Sequence, residues 1–533
     1  MRASLYFTLS FLSWVAVVHA SPASNATPVT FMPRIAPLAA PAGAGAFGGS
    51  LVRGPDGIVC LSWVEPIRAK PAERTSDSMY ALRFATLDPV AHRWSAAQTI
   101  AQGHDWLMSN ADFPSLAVQP GGRMTAVWFI NNPALPHPAG HNHAGGHDHG
   151  AGCHALISQS SDHGASWSPP EPLTRESDSV EFVALQPLAD GSVLAAWLDG
   201  RAKKSGKDVQ QLYARIIGST QPDQLVDASV CDCCQTTLTG FPDGSAVLAY
   251  RGRAEGEIRD ILSARLIDGQ WEQERNSTRD GWKIAGCPVN GPRIASDGPR
   301  VLKVWYTAAN GEPAVLAAMS SDAGGVYTLP QRVDLGSPLG RVDGLLLRDG
   351  TQLITWVEAG GDDASQPAGI FLRRYASSGS ALPPALLTAT TKTHASGFPR
   401  IALLKDYDAT PAELVLVYTE AGEPSAVKTL LVTLPDAAAL VEADSACDCA
   451  GRGEELIGYP MRGHIVALSA EKETLRVKHS AIPGIMRAGE REFKATPALI
   501  GALQADRDVL ARIEERNGAW WIFDVRVLMR PKS

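Results

Sequence analysis

Apolar positions recur along this chain in short alternating runs, each opened by a turn and closing on an aromatic. They are GIVCLSW to Trp63, RMTAVW to Trp128, GSVLAAW to Trp197, GSAVLAY to Tyr250, RVLKVW to Trp305, TQLITW to Trp356 and ELVLVY to Tyr418. Runs of this length and composition are strand signals, and the turn formers PGG, ADG, PDG and RDG supply the reversals. A second strand-like run follows most of them, among them ALRFATL, HALISQS, QLYARII and ILSARLI, so one unit is a small antiparallel meander. The aromatics stand 51 to 69 residues apart, with no long amphipathic helix between residues 45 and 435. A tandem repeat of this kind predicts an all-β fold, a β-propeller of six or seven blades, with an array of sandwiches as the competing architecture.

The repeat has a chemical consequence. Equivalent loops precede the aromatic-ended strands, and they carry Asn110, Glu181, Cys234, Cys287, Arg341 and His394. In a propeller, such loops converge on one mouth of the central channel. The stretch VCDCCQTT would then bring Cys231, Cys233 and Cys234 close to Cys287 of DGWKIAGCPVNGP. Thiolates in such a group suit a soft ion, Cu(I) first and Zn(II) second. Disulfides are the alternative, for instance between Cys287 and one member of the cluster. Cys233 and Cys234 are adjacent, so both cannot pair easily.

Composition adds a second metal feature. Residues 137–154, HPAGHNHAGGHDHGAGCH, hold His137, His141, His143, His147, His149 and His154 with Cys153 in a Gly/Ala background that offers nothing for a core. Neutral imidazoles suit copper, zinc and nickel, so this insert is expected to gather ions. A plain solvated loop is the other reading.

Residues 1–20 combine Arg2, an apolar run and the ending VHA before Ser21, the pattern of a cleaved export signal. The mature chain is expected in the periplasm, without membrane insertion. A net charge of −8 argues against a nucleic-acid partner. The expected organisation is a signal at 1–20, a flexible segment at 21–45, the propeller at 46–435 and a linker at 436–455 holding Cys447 and Cys449. Residues 456–533 then form a small OB-like five-stranded barrel with a helical LIGALQADRD.

Two resemblances follow from particular residues. SSDHGASW (Ser160, Asp162, Gly164, Trp167) and SSDAGGVY (Ser320, Asp322, Gly324, Tyr327) resemble the Asp-box of sialidase-like propellers, a structural hairpin. A working sialidase of that family would need three arginines clamping a carboxylate, a Tyr paired with a Glu, and an Asp acid/base. Arg251, Arg253, Arg259, Asp260 and Arg341 are the residues offered for such a site, and no Tyr/Glu pair can be assigned. FMPRIAP at 31–37 only loosely resembles that family's start. GHIVALSAEKETLRVKHSAIPGIMRAGEREF resembles the CusF-type periplasmic copper-binding domain, which implies Cu(I) ligation by His479 and Met486. Gly489 and Arg491 stand where that family places further Met ligands, so the implied site is incomplete. Together these features point to an exported copper-handling protein working with another periplasmic copper protein. The alternatives are an exo-sialidase-like hydrolase and a disulfide-stabilised envelope scaffold.

Overall fold

The computed structural model describes residues 32–435 apart from 69–77, 108, 132–152, 208, 274–277, 361–366, 378 and 407–410, and residues 459–527 apart from 480–488 and 517. Among the described residues, seven antiparallel sheets follow one another and a separate barrel ends the chain. No described helix is long and apolar enough to cross a membrane.

Each sheet is one repeat unit. Sheet 1 comprises Phe47–Arg53, Val59–Arg68, Met79–Asp88 and Arg93–Trp94, with Gln98–Gly103 also on its third strand. Sheet 2 runs through Ser115–Val118, Met124–Asn131, Cys153–Ser160 and Glu171–Pro172. Sheet 3 uses Val180–Pro187, Val193–Asp199, Gln210–Ile216 and Gln224–Val230, and sheet 4 uses Thr237–Gly240, Ala246–Arg251, Ile261–Ile267 and Gln270–Gln273. Sheet 5 has Arg293–Asp297, Arg300–Thr307, Ala314–Ser320 and Gln331–Arg332; sheet 6 has Pro338–Leu346, Gln352–Glu358, Ala368–Tyr375 and Ala385–Thr390.

Sheet 7 differs in one strand. Arg400–Lys405, Glu413–Glu420 and Ala426–Thr433 come from the end of the repeat, but the fourth strand is Arg34–Leu38, paired Arg34 to Thr433 and Leu38 to Thr429. The segment 21–45 was expected to lie outside the repeat as a flexible stretch. Its residues 34–38 instead close the ring, because the outer edge of Ala426–Thr433 would otherwise offer unpaired backbone groups.

The recurring aromatics build the core between sheets. Trp128 packs with Leu82 and Phe84 of sheet 1, Trp197 with Val127 and Ile157 of sheet 2, and Tyr250 with Leu198 and Leu212 of sheet 3. Trp305 meets Val247 and Ala249 of sheet 4, and Trp356 meets Leu302 and Val304 of sheet 5. Tyr418 packs on the sheet 6 cluster of Ile370 and Leu372, and Trp63 of sheet 1 packs with Val415 and Val417 of sheet 7. The circle is complete: the fold is an all-β propeller. Three of these tryptophans donate from Nε1 to an acid two residues on, Trp63 to Glu65 and Trp197 to Asp199 at 2.8 Å, and Trp356 to Glu358 at 2.6 Å. A strand period of two puts both side chains on one face, so the buried indole N–H finds its acceptor locally.

Both Asp-boxes form the expected hairpins. Ser160 Oγ donates to Asp162 at 2.7 Å and accepts from Gly164 N, while Asp162 accepts from Ser166 N at 2.9 Å. Gly164 takes φ +83°, which a side chain would resist. Ser320, Asp322 and Gly324 repeat the pattern.

The terminal unit is a closed barrel of Tyr459–Ser469, Thr474–His479, Gly489–Lys494, Ala519–Val527 and Arg507–Arg516, neighbours in that order. A helix, Pro497–Ala502, lies between the third and fourth strands in sequence, capped by Thr496 Oγ1 accepting from Leu499 N. Met461, Leu475, Phe493 and Ile513 fill its core.

Ring closure makes a testable demand. A chain lacking residues 21–38 should unfold at lower urea than the full chain. Trp63→Ala, at the seam between sheets 7 and 1, is expected to cost roughly 3–5 kcal/mol. Both are read by urea unfolding.

Candidate functional site

The loops entering the innermost strands meet in a circle of named contacts. Thr236 Oγ1 donates to Phe182 O at 2.9 Å, and Gln235 Nε2 donates to Ala111 O at 2.8 Å. Gln235 Oε1 accepts from Gly291 N at 3.0 Å, and Asn290 Oδ1 accepts from Arg341 N at 2.7 Å. Arg341 Nη1 reaches Ser396 Oγ at 2.6 Å, and the Phe398 and Phe113 rings, 6.3 Å apart, return the circle to its start. The six loops singled out by spacing do converge. Gly291 is required where it stands, since a Cβ there would lie 2.1 Å from Gln235 O.

The cysteine cluster sits in this circle. Cys231 N is tied to Arg251 O at 2.9 Å, and Arg251 itself donates to the carbonyls of Asn290, Arg259 and Tyr306. That arginine therefore pins three strands or loops to the cluster's floor. Cys231, Cys233 and Cys234 are fully buried, with ligand atoms all within 4.8 Å of one another. The Cys231 sulfur lies 3.4 Å from that of Cys234 and 3.7 Å from that of Cys233. Cys233 and Cys287 are joined by a disulfide with Cα atoms 5.9 Å apart, while Cys231 and Cys234 are thiols. The pairing left open by the sequence is thus present beside the cluster, and Cys234, next to a paired neighbour, is not itself paired.

Electrostatics separates the two thiols. Burial raises both. For Cys231 the contact with Cys234 and the charge of Arg259 outweigh burial, and the thiol falls to about 7. Arg259 Nη1 lies 3.2 Å from Cys231 Sγ and 3.1 Å from Asp232 Oδ1. Cys234 stays well above the ordinary thiol value, held there by burial and by Cys231.

The innermost strands of six sheets, with the loops entering them, line an axial cavity of about 220 Å³. Arg400 lines it, 3% exposed; its Nη1 donates to Val342 O and Pro399 O, and its guanidinium rests 5.3 Å from the Phe113 ring centre. Burial, with Arg293 nearby, lowers this guanidinium to about 9, against a partial counter-pull from Asp343. Arg293 pairs with Asp343 at 3.0 Å. Asp112 also lines the cavity, with Oδ2 buried and without a hydrogen-bond partner. Burial, and after it the neighbouring Glu181, push its carboxyl well above the usual carboxylate range.

The remaining expected residues fall elsewhere. Cys153, grouped by composition with the histidines, is a core residue of sheet 2: its thiol donates to Val180 O at 2.9 Å, and burial holds it far from the thiolate form. His154 lies beside it on the same strand, opposite Ile130. His137, His141, His143, His147, His149, Met486, Cys447, Cys449 and the export signal lie outside the described residues. His479 is buried at the end of its strand, edge-on to Phe493 at 5.8 Å. Gly489 pairs directly across from it without a side chain, and Arg491 is exposed. The arginines offered for a sialidase clamp do not assemble one: Arg251 and Arg341 bind carbonyls and Ser396, and Arg253 and Arg259 share Glu257. Arg34 of FMPRIAP is exposed on the closing strand. Arg400 and Asp112 were missed because FPR and NADF carry no motif.

No family model matches the chain, and no curated protein matches it. Similar solved structures include a polysaccharide lyase, a PL25 ulvan lyase, at 12% identity over 78% of this chain and 99% of that one, TM-score 0.44. Another is the intramolecular trans-sialidase from Ruminococcus gnavus, at 10% identity over 74% and 94%, TM-score 0.39. The β-propeller domain of the trilobed protease from Pyrococcus furiosus matches at 12% identity over 73% and 96%, TM-score 0.39. Those activities belong to those proteins.

Glu181, at the start of sheet 3, gives a pH prediction. Burial raises its carboxyl from 4.5 to about 7, with Lys203 partly offsetting and Asp232 adding to the shift. Between those values the folded state binds more protons than the unfolded one, so stability falls as pH rises, by about 3 kcal/mol in all. Glu181→Gln should flatten that decline between pH 4.5 and 7.5, measured by urea unfolding at each pH.

Proposed function

We propose that this is an exported soft-metal protein that binds copper(I), or zinc(II) in its place, through Cys231, Cys233, Cys234 and Cys287 in their reduced state. The observation that carries this reading is the group of three buried cysteine sulfurs within 4.8 Å of one another, beside an arginine. Metal–thiolate bonds of about 2.3 Å in a tetrahedral site set sulfurs about 3.8 Å apart. The separations of 3.4 and 3.7 Å are near that value. Several thiolates around one ion leave a net negative centre, and Arg259, 3.2 Å from Cys231, offsets part of it. The cysteines are the ligands; Arg259 and the Gln235 contacts hold the loops that carry them. The histidines of 137–154 would gather ions for this site in the periplasm, and another copper protein would receive or supply them.

Metal content and free thiols of the reduced protein test the reading. Stoichiometric copper is expected in the wild type after loading, and a loss of at least ten-fold in retained metal in Cys231→Ser and Cys234→Ser. Copper retained in both variants, or none bound by the reduced wild type, would contradict it.

A second reading, hydrolysis of an acidic glycan, is favoured by one feature: a buried guanidinium and a buried carboxyl held well above its usual range, both lining one axial cavity. Arg400 would hold a carboxylate and Asp112 would donate a proton. Release of the leaving group from a chromogenic sialoside tests it; activity should fall roughly 100-fold or more in Asp112→Asn. A wild type without activity would remove this reading.

A further inference from the structure

The four sulfurs form two pairs at different oxidation levels. Cys233 and Cys287 are a disulfide; Cys231 and Cys234, spaced Cys-x-x-Cys, are a dithiol with sulfurs 3.4 Å apart. The pairs touch, because Cys231 Sγ is 3.7 Å from Cys233 Sγ. That is van der Waals contact for two sulfurs and the distance from which thiolate attack on a disulfide begins. There is also a gradient of access. Cys231, Cys233 and Cys234 are buried, while Cys287 is partly exposed in the loop leading to sheet 5.

We infer that the cluster is a thiol–disulfide relay, passing two electrons from the buried Cys231/Cys234 dithiol to the Cys233–Cys287 pair and out through Cys287 to a small disulfide in the surrounding medium. In the first step Cys231, as thiolate, attacks Cys233 Sγ; the Cys231–Cys233 bond forms and Cys287 leaves as thiolate. Cys234, as thiolate, then attacks Cys231, forming Cys231–Cys234 and releasing Cys233 as thiolate. The two protons given up by Cys231 and Cys234 are taken by Cys233 and Cys287. The internal exchange needs no outside oxidant. An external disulfide, RSSR, then accepts the electrons: Cys287 attacks it and expels one RS⁻, and Cys233 attacks Cys287 and expels the second, restoring Cys233–Cys287. Overall two thiols of the protein become a disulfide and RSSR becomes two RSH.

The relay stands on sulfur geometry and needs no metal. A metal holding all four sulfurs would block it, which makes the two activities mutually exclusive states of one site.

The test uses the full chain, freed of metal by chelation and adjusted with dithiothreitol to one disulfide in the cluster. Free thiols are trapped by alkylation and the linkages are mapped by mass spectrometry. Both Cys233–Cys287 and Cys231–Cys234 linkages are expected in the wild type. Oxidation by glutathione disulfide should slow at least ten-fold in Cys287→Ser. Cys234→Ser keeps the Cys233–Cys287 pair and can proceed only to a Cys231–Cys233 linkage, so it should show no second completed step and release at most one glutathione per chain where the wild type releases two. A wild type with only the Cys233–Cys287 linkage, or Cys287→Ser reacting as fast as wild type, would overturn the relay. Zn(II) added to the fully reduced chain in a parallel sample separates it from the metal reading: Zn(II) bound there with no exchange in the metal-free, one-disulfide chain defeats the relay alone, and exchange in the metal-free chain with no Zn(II) bound by the reduced chain defeats the metal site alone.

Discussion

The pairing of Arg34–Leu38 with Ala426–Thr433 governs the rest of the molecule. It covers the edge of the last sheet with a strand from the other end of the propeller and so turns a row of seven meanders into a ring. Only in a ring do loops from residues 110, 181, 234, 287, 341 and 394 share one mouth. The aromatic on each second strand works with this pairing, since each indole or phenol ring packs on the preceding sheet and Trp63 meets sheet 7 across the seam. Hydrophobic burial between sheets supplies the driving force, and the strand exchange fixes which sheet is first.

Above that frame, polar side chains do the local positioning. Gln235 uses its amide twice, as donor to the loop of Ala111 and as acceptor from the loop of Gly291. Arg251 spreads its guanidinium over three carbonyls. These contacts join neighbouring loops to one another, so the cysteines are held by a network rather than by one flexible turn. Arg259 then sets the charge at Cys231, and Arg400 does the same below, in the axial cavity.

Much of this was legible in the sequence, for physical reasons. The buried second strands announce themselves because alternation ending in Trp or Tyr is what an inter-sheet core needs. The convergence of Cys234 and Cys287 follows from their similar offsets, 16 and 18 residues, before the aromatics Tyr250 and Trp305 that end those strands. The closing strand was not legible: RIAPL is short, contains a proline and shows no alternation. The partner of Cys287 could not be read, since spacing does not encode which sulfur it meets. Cys153 misled because composition placed it with histidines, while its strand turns it into the core. Trp-x-acid pairs, in SWVE, AWLD and TWVE, were a readable signal of buried indoles with local acceptors.

The central claim is that sulfur holds the ion at the propeller mouth. X-ray absorption spectroscopy of the reduced, zinc- or copper-loaded full chain addresses it most directly. The account predicts a first shell of sulfur alone at about 2.3 Å. A first shell dominated by nitrogen, as from the histidines of 137–154, would contradict it.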